Sequence, residues 1–450
     1  MRKNQPLEDK SDLTNKIVSL CKRRGFIFPS SEIYGGLANT WDFGPLGVEL
    51  KNNIKKYWWD KMIKEKDDIV GLDSAIILNP KTWEASGHLS SFSDPLVECK
   101  KCHTRFRFDY LKKGKYGEIE LEDGYPQCPL CGGQLTEEKK FNLMFKTYFG
   151  PAEETANIVY LRPETAQGIF LNFKNILNTT RKKIPFGIAQ IGKAFRNEIT
   201  PSNFIFRTRE FEQMEMEYFI TPKEDKIWFD YWKKERMNWY LSLGVKKENL
   251  RFRKHEKNEL AHYAKEAADI EYNFSFGWLE LEGIHNRTDY DLMNHQKYSG
   301  IDLKYYNNET KEKYLPYIIE TSAGVERSVL TVLTDSYTEE KDRVILKINP
   351  KLAPYKVAVF PLLANKLDLV KLAREIYDDL RKNWKFQVVF DSRGNIGGRY
   401  YSQDEIGTPY SITVDFESLE KKDVTIRDRD TTKQVRVKIK DIKEWLDRNL

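Results

Sequence analysis

Two parts of this sequence carry residue types at spacings that could do chemistry. The first is a strand–loop–strand segment, Gly187-Ile-Ala-Gln-Ile-Gly-Lys-Ala-Phe-Arg-Asn-Glu198 followed after a loop by Thr208-Arg-Glu-Phe-Glu-Gln-Met-Glu-Met-Glu-Tyr218. Alternate residues of an extended strand share a face. Gln190, Gly192, Ala194, Arg196 and Glu198 therefore fall together, as do Phe211, Gln213, Glu215 and Glu217, opposite Met214, Met216 and Tyr218. A solvated sheet face could look like this. The aromatic and apolar flanks point instead to a central sheet, where such a face needs a polar ligand to satisfy it. Arg196 can fork onto a phosphate, Phe211 can stack beneath a flat base, and Glu215 can accept from an ammonium group. A nucleotide together with an amine describes an aminoacyl adenylate.

The second part is a set of four cysteines in two pairs, Cys99-Lys-Lys-Cys102 and Cys128-Pro-Leu-Cys131-Gly-Gly. Two residues between ligands let both thiolates of a tight turn face one ion, and a small hairpin can bring the pairs together. Four thiolates in tetrahedral array make a closed, structural Zn2+ site without an open position. Disulfides are the other reading, disfavoured in a reducing compartment. The fifth cysteine, Cys21, falls on a predicted helix and reads as a buried or half-buried thiol.

The elements that must hold these residues follow from periodicity. Residues 12–25 predict an amphipathic helix ending at Gly25, and 48–64 a second with Leu50, Ile54, Trp58 and Met62 along one side. Residues 97–140 form a polar, cysteine-bearing insertion, residues 141–337 mix strands and helices, and 338–354 read as a connector. Beyond it come a strand at 356–362, a helix at 366–382, strands at 386–391 and 410–416, and a hairpin over 424–439. That alternation predicts a small α/β domain with a mixed sheet.

Composition sets the outer bounds. At 450 residues, two or three domains are expected. Seventy-four Lys and Arg against sixty-eight Asp and Glu leave +6, which permits a basic face for nucleic acid without requiring one. No run of eighteen apolar residues exists, so no membrane span is expected. The first residues, Met1 to Lys16, lack an apolar signal core, so a cytoplasmic protein is expected.

Longer phrases carry a family resemblance. Phe195-Arg-Asn-Glu198 with Phe206-Arg-Thr-Arg-Glu-Phe-Glu-Gln-Met-Glu215 resembles motif 2 of the class II aminoacyl-tRNA synthetases, in the wording of the dimeric glycyl-tRNA synthetases. Gly35 to Gly47 with its helix resembles motif 1, and Glu320-Thr-Ser-Ala-Gly-Val-Glu-Arg327 resembles motif 3. Trp83-Glu-Ala-Ser-Gly-His88 and Leu161-Arg-Pro-Glu-Thr-Ala-Gln-Gly168 are family phrases too. The resemblance runs from about residue 15 to the C-terminus. It implies an α+β chain: a class II antiparallel-sheet catalytic domain over 1–353, with a zinc-ribbon-like insertion at 97–140, and an α/β anticodon-binding domain over 354–450.

The resemblance also implies roles. Arg196, Glu198 and Arg327 would be catalytic, with Arg196 on the α-phosphate of ATP and Arg207 and Arg327 on the outer phosphates. Phe211 would stack on adenine, and Glu280 would help place Mg2+. Asn197, Phe206, Thr208, Arg209, Glu210, Leu281, Gly324, Val325 and Glu326 would complete the ATP site. Glycine would be held by Glu164, Glu215 and Ser322 at its amine, with Arg107, Phe211, Glu212, Gln213, Met214, Glu320, Thr321, Ala323 and Gly324 around it. Cys99, Cys102, Cys128 and Cys131 would bind Zn2+, and Arg399, Tyr400 and Tyr401 would offer tRNA(Gly) cation and stacking surface. A homodimer is implied. Thr321 stands where the family more often has proline, and Leu279 and Glu282 replace residues commonly small or apolar. His255, His262, His285 and His295 read as surface or tRNA-facing side chains.

The implied chemistry needs no nucleophilic side chain, because positioning and electrostatic stabilisation carry adenylation. Rejecting an added methyl is easier than rejecting a missing one, so no editing domain is expected. Two rival readings are a catalytically inactive synthetase-like accessory protein and a sister synthetase for another small amino acid.

Overall fold

The computed structural model describes residues 10–112, 114, 121–122, 125–151, 157–199 and 203–450. Its centre is a seven-stranded sheet, in the order Leu250–Lys254, Glu266–Phe274, Gly277–Thr288, Tyr317–Gly324, Glu210–Ile220, Phe186–Phe195 and Ile69–Gly71. All pairings are antiparallel except that of the short Ile69–Gly71 edge strand. The two long motif strands pair as alternation predicts, with Ala194 opposite Phe211, Gly192 opposite Gln213 and Gln190 opposite Glu215.

The two faces of the sheet have different fates. Met214, Met216, Tyr218 and Ile220 enter the main core with Ile284, Ile319 and Ala323. Helices Pro45–Trp59, Asp225–Ser242 and Val325–Ser336 cover that face, contributing Leu50, Ile54, Trp58, Phe229, Trp232 and Val329. The first of these helices starts at an extended Gly44 with Pro45 in its first turn, a placement that suits proline's fixed φ. Gly47 lies so close to the chain at Phe26 that a Cβ would sit 1.8 Å from the Phe26 carbonyl oxygen. On the opposite face, helix Ala166–Thr180 packs Ile169, Phe170 and Phe173 onto Phe186, Ile188, Phe219 and Ile318. That second core covers only one end of the face; the other end is polar and open.

The cysteine segment forms a three-stranded sheet, Arg105–Arg107, Ser93–Glu98 and Lys139–Asn142, over a small core of Val97, Phe106, Phe108, Leu111 and Leu135. The segment after the seven-stranded sheet is a hairpin, Tyr337–Glu339 with Val344–Leu346. The last domain has a five-stranded sheet in the order Val388–Phe390, Val357–Pro361, Tyr410–Val414, Asp423–Asp428 and Gln434–Lys438. Its first three strands are parallel and its last two antiparallel, the mixed sheet expected. Helix Leu367–Asn383 packs Leu369, Ala373, Ile376 and Leu380 against it. No helix among the described residues is long and apolar enough to cross a membrane.

Candidate active site

The open, polar end of the sheet is the floor of a cavity of about 380 Å³. Cross-strand register assembles it: Ser322 lies opposite both Glu215 and Gly283, and Glu320 opposite both Glu217 and His285. Walls come from the loop after Phe195, from Phe92, Asp94 and Arg107 of the cysteine segment, and from the start of helix Val325–Ser336.

One end of the cavity is cationic. Arg196 donates from Nε to the Pro163 carbonyl at 3.0 Å, and its guanidinium sits 5.3 Å from the Phe211 ring centre and 5.4 Å from that of Phe92. Arg327 donates to the carbonyls of Phe206 at 3.3 Å and Glu280 at 3.0 Å, and lies 4.5 Å over the Phe206 ring. Arg207 reaches Glu198 at 3.3 Å. Arg107 pairs with Asp94 at 2.8 Å and with Asp109. Arg196 and Arg327 are both fixed to backbone carbonyls and both line the cavity, and Arg327 also lies 3.3 Å from the Glu280 carboxylate.

The other end is acidic. Glu164, Glu215 and Glu320 are all buried. Thr165 donates its hydroxyl to Glu215, Gln213 takes the Thr165 N–H at 3.2 Å, and Gln213 donates to Ser322 at 3.1 Å. Burial, with Glu320 and Glu164 nearby, pushes the Glu215 carboxyl up to about 7. Glu164 goes the other way. Burial opposes its charge, but His88, 3.5 Å away, and Arg287 hold it well below the usual carboxylate range. Glu320 is likewise lowered against its burial, by Arg287 and by His285, whose Nδ1 lies 3.0 Å from it. His285 is raised in return, against the effect of its own burial.

The sequence-predicted residues divide by strand parity. Arg107, Glu164, Arg196, Glu198, Phe206, Arg207, Thr208, Phe211, Gln213, Glu215, Glu280, Glu320, Ser322, Gly324, Glu326 and Arg327 line the cavity. Met214, Leu281, Ala323 and Val325 turn their side chains into the main core. Thr321 is also fully buried, and its hydroxyl has no partner among the described residues. Glu212 leaves the cavity for Lys51 and Lys55. Glu210 pairs with Lys193 at the exposed rim, Arg209 donates to the carbonyls of Ala38 and Glu198, and Asn197 is half-buried.

A bulge decides the fate of two more. The register between Glu266–Phe274 and Gly277–Thr288 slips at Ile270/Glu271, so Glu280 and Glu282, which simple alternation would pair, part company. Glu280 lines the cavity, while Glu282 is fully buried against Arg236 at 2.5 Å under helix Asp225–Ser242.

Other side chains at this end were not anticipated from sequence. Arg287 is buried and donates to Asp291 at 2.8 and 3.0 Å and to Glu320. The face that carries Gly283 and His285 also carries Arg287, so alternation was the signal that could have found it. Phe92, Asp94 and Tyr263 also line the cavity, without a local pattern to mark them.

Three of the histidine readings change. His285 is at the cavity, His295 is buried with Nε2 2.8 Å from Gln167 Oε1, and His255 is 2.8 Å from Asp269; only His262 is exposed. Arg399 is also corrected as a surface cation. Gly397 to Tyr401 belong to helix Ile396–Ile406, capped by Asn395, and this turns Arg399 inward onto the carbonyls of Pro361, Leu362 and Gly394. Tyr400 bonds Thr413, while Tyr401 remains exposed.

The four paired cysteines come together. Cys99 and Cys131 sulfurs are 3.5 Å apart, those of Cys102 and Cys128 3.6 Å, and all four lie within 4.8 Å of one another. His103 stays outside, exposed beside Glu98.

A seven-stranded sheet, antiparallel but for one edge strand, with a two-ended pocket and joined to a mixed-sheet domain, is the arrangement of a class II aminoacyl-tRNA synthetase. Residues 145–337 match the family described as tRNA synthetase class II core domain (G, H, P, S and T), and residues 356–449 match the anticodon binding domain. Full-length relatives narrow the class. A glycine--tRNA ligase of Caldanaerobacter subterraneus subsp. tengcongensis is 56% identical over 97% of this chain and 98% of its own. Those of Geobacillus thermodenitrificans and Treponema denticola are each 54% identical, over 98% and 96% of this chain and 99% and 96% of theirs. The chain belongs to the glycine--tRNA ligase family.

Proposed function

We propose that the cavity activates glycine with ATP and passes it to the 3′ end of tRNA(Gly). The observation that carries this reading is the division of one cavity into a cationic, aromatic end and an acidic, buried end. The acids at the buried end exceed the cations that face them. An ammonium group supplies the missing charge. Glu164, Glu215 and Glu320 would hold it, with Gln213 and Ser322 beside the small α-carbon. At the other end, Phe211 would stack on adenine while Arg196, Arg207 and Arg327 hold phosphates.

In the first step a glycine carboxylate oxygen attacks the α-phosphorus. A new phosphorus–oxygen bond forms, the bond to the bridging oxygen breaks, and pyrophosphate leaves with that electron pair. Arg196, already anchored on the Pro163 carbonyl, holds its guanidinium where negative charge develops. In the second step a terminal ribose hydroxyl attacks the glycyl carbonyl; an ester bond replaces the carbonyl's bond to the phosphate oxygen, AMP departs with that electron pair, and the hydroxyl proton is released to water. Glu280, a half-exposed oxygen donor beside Arg327, fits Mg2+, which would neutralise phosphate charge when bound. Glu326 is engaged by Lys51 and the Glu212 N–H, which leaves it less free for that role.

The sulfur cluster fits Zn2+ by donor type and spacing, and Cys99, Cys102, Cys128 and Cys131 would hold it as a cross-link of the insertion. Ile33, Tyr34 and Leu37, at and just before the start of the segment that resembles motif 1, are 88%, 86% and 64% exposed. A second copy covering them would give the expected homodimer, and sedimentation of a Tyr34→Ser variant at falling concentration tests it: unchanged dissociation removes that surface from the interface. Tyr401 offers a stacking surface for tRNA, and a cytoplasmic site of action follows from these substrates.

The decisive experiment is glycine-dependent exchange of pyrophosphate into ATP, with alanine and serine as controls. Exchange with glycine alone, lowered roughly 10²–10³-fold in Arg196→Ala, is the expected result. No exchange with any amino acid in folded protein would favour the accessory-protein reading.

A further inference from the structure

Glu217 stands where the polar floor of the cavity gives way to the apolar core. It follows Glu215 by two residues on the same strand and precedes Phe219, which already packs under helix Ala166–Thr180. Its cross-strand neighbours are Ile188 and Glu320. The side chain is fully buried, and neither carboxyl oxygen has a hydrogen-bond partner among the described residues. Carboxyl oxygens of Glu215, Glu217 and Glu320 lie within 4.8 Å of one another.

The groups facing it leave little room for a third negative charge. Glu215 comes from its own strand, and Glu320 from Tyr317–Gly324. Arg287 and His285 come from Gly277–Thr288, and Asp291 from helix Tyr290–Ser299. The one guanidinium in this group, Arg287, already serves Asp291 and Glu320, and His285 also serves Glu320. A buried, unpaired carboxylate beside two others is strongly disfavoured.

We propose that Glu217 is a positioning residue that stays protonated beneath the amine-binding end of the cavity, directing its one hydroxyl proton toward Glu320, its cross-strand neighbour. The two acids that meet the ammonium then have a neutral neighbour rather than a charged one that repels them. Burial first, and then Glu320, raise the Glu217 carboxyl well above the ordinary range, in keeping with this. The functional half of the proposal rests on the glycine reading above; the protonation itself does not.

Two measurements separate those halves. In ligand-free protein in heavy water at neutral pH, infrared difference spectra between wild type and Glu217→Gln should show the carbonyl stretch of a protonated carboxyl group lost in the variant. Its absence from the wild type overturns the proposal, whatever the substrate, as does a metal ion bound stoichiometrically by the three glutamates in the wild type only. In pyrophosphate exchange, Glu217→Ala should raise KM for glycine roughly tenfold, the scale of one lost buried hydrogen bond, with a smaller change in kcat. Glu217→Gln, which keeps a neutral donor, should recover most of that loss. Equal KM increases in both variants would mean that the charge matters and overturn the proposal. An unchanged KM in Glu217→Ala would also overturn it. Should the alanine variant fail to fold, the infrared comparison and the glutamine variant still decide. Failure of exchange with glycine in the wild type, with the infrared band present, would instead sink the substrate reading and leave the protonated Glu217 standing.

Discussion

Both domains bury arginine and aspartate or glutamate together, but they use them differently. In the C-terminal domain, Arg427 forks onto Asp404 at 2.8 and 2.9 Å, and Arg343, from the hairpin that precedes the domain, reaches the same carboxylate at 2.5 Å. Arg429 binds Asp430 and the Gly407 carbonyl, and Arg399 binds three carbonyls. In the catalytic cavity, Arg196 is tethered to a single carbonyl and Arg327 meets only carbonyls and the half-exposed Glu280, and among the described residues Glu215 and Glu217 have no cation of their own. A buried charge whose partners are all within the fold holds the fold. One whose partners are missing marks where a ligand completes the set.

The strongest way to break that comparison is Arg427→Ala. Removing Arg427 strips Asp404 of its bidentate partner and leaves Arg343 alone on that carboxylate, which costs about 3 kcal/mol, the low end for breaking a buried pair. Chemical unfolding should show the C-terminal domain losing that much stability, while pyrophosphate exchange, measured where both domains remain folded, stays within about threefold of wild type. Lost exchange with undiminished stability would mean that the two kinds of buried charge cannot be told apart by their partners.

Glu215→Gln sharpens the comparison from the other side, because a group without a cation should weaken the fold when it ionises. In the folded chain Glu215 keeps its proton up to about pH 7, against an ordinary value of 4.5. Between those values the folded state binds the extra proton, so its contribution turns unfavourable as pH rises from 4.5 to about 7 and is constant above. Glu215→Gln should match wild-type stability near pH 4.5 and exceed it above pH 7, by on the order of 3 kcal/mol at most. Function should move oppositely. Wild-type KM for glycine should fall as pH rises through about 7, and the variant should show a flat profile with KM raised roughly 10- to 100-fold, the worth of a charge-assisted hydrogen bond. A variant less stable than wild type at pH 8 would show that Glu215 is a structural acid.

How far the sequence made this legible can be read from particular residues. Period-two alternation alone placed Phe211, Gln213, Glu215 and Glu217 on one face, and the register with Ala194, Gly192 and Gln190 agrees. Motif resemblance names contiguous runs, however, and a strand presents only every second residue to its ligand. That is why Met214 and Ala323 sit in the core beside residues that line the cavity. The bulge that separates Glu280 from Glu282 has no sequence signature here, because it is set by pairing with a neighbouring strand. Arg399 was misread for a related reason. The resemblance names the run Arg399-Tyr400-Tyr401 as surface, but the Asn395 cap, accepting the Gly398 N–H at 2.7 Å, starts a helix there and turns the arginine inward.

Glu210 gives the smallest effect and the finest test. Motif resemblance includes it in the ATP site, yet it lies at the exposed end of its strand, paired with Lys193, and the two side chains are 45% and 51% exposed. An ion pair so open to water is worth only about 0–1 kcal/mol. Glu210→Ala should therefore leave stability within about 0.5 kcal/mol of wild type. KM for ATP should change by less than about threefold, since a rim charge contributes little to affinity. The neighbouring Phe211, facing the cavity, should behave quite differently on truncation, because base stacking is worth about 1–3 kcal/mol. Two adjacent residues of one motif with effects this unequal would show that the strand's alternation, and not membership of the motif, decides which side chains reach the nucleotide. Comparable losses of ATP affinity in both variants would mean that Glu210 swings inward when the nucleotide binds, and that the rim belongs to the site after all.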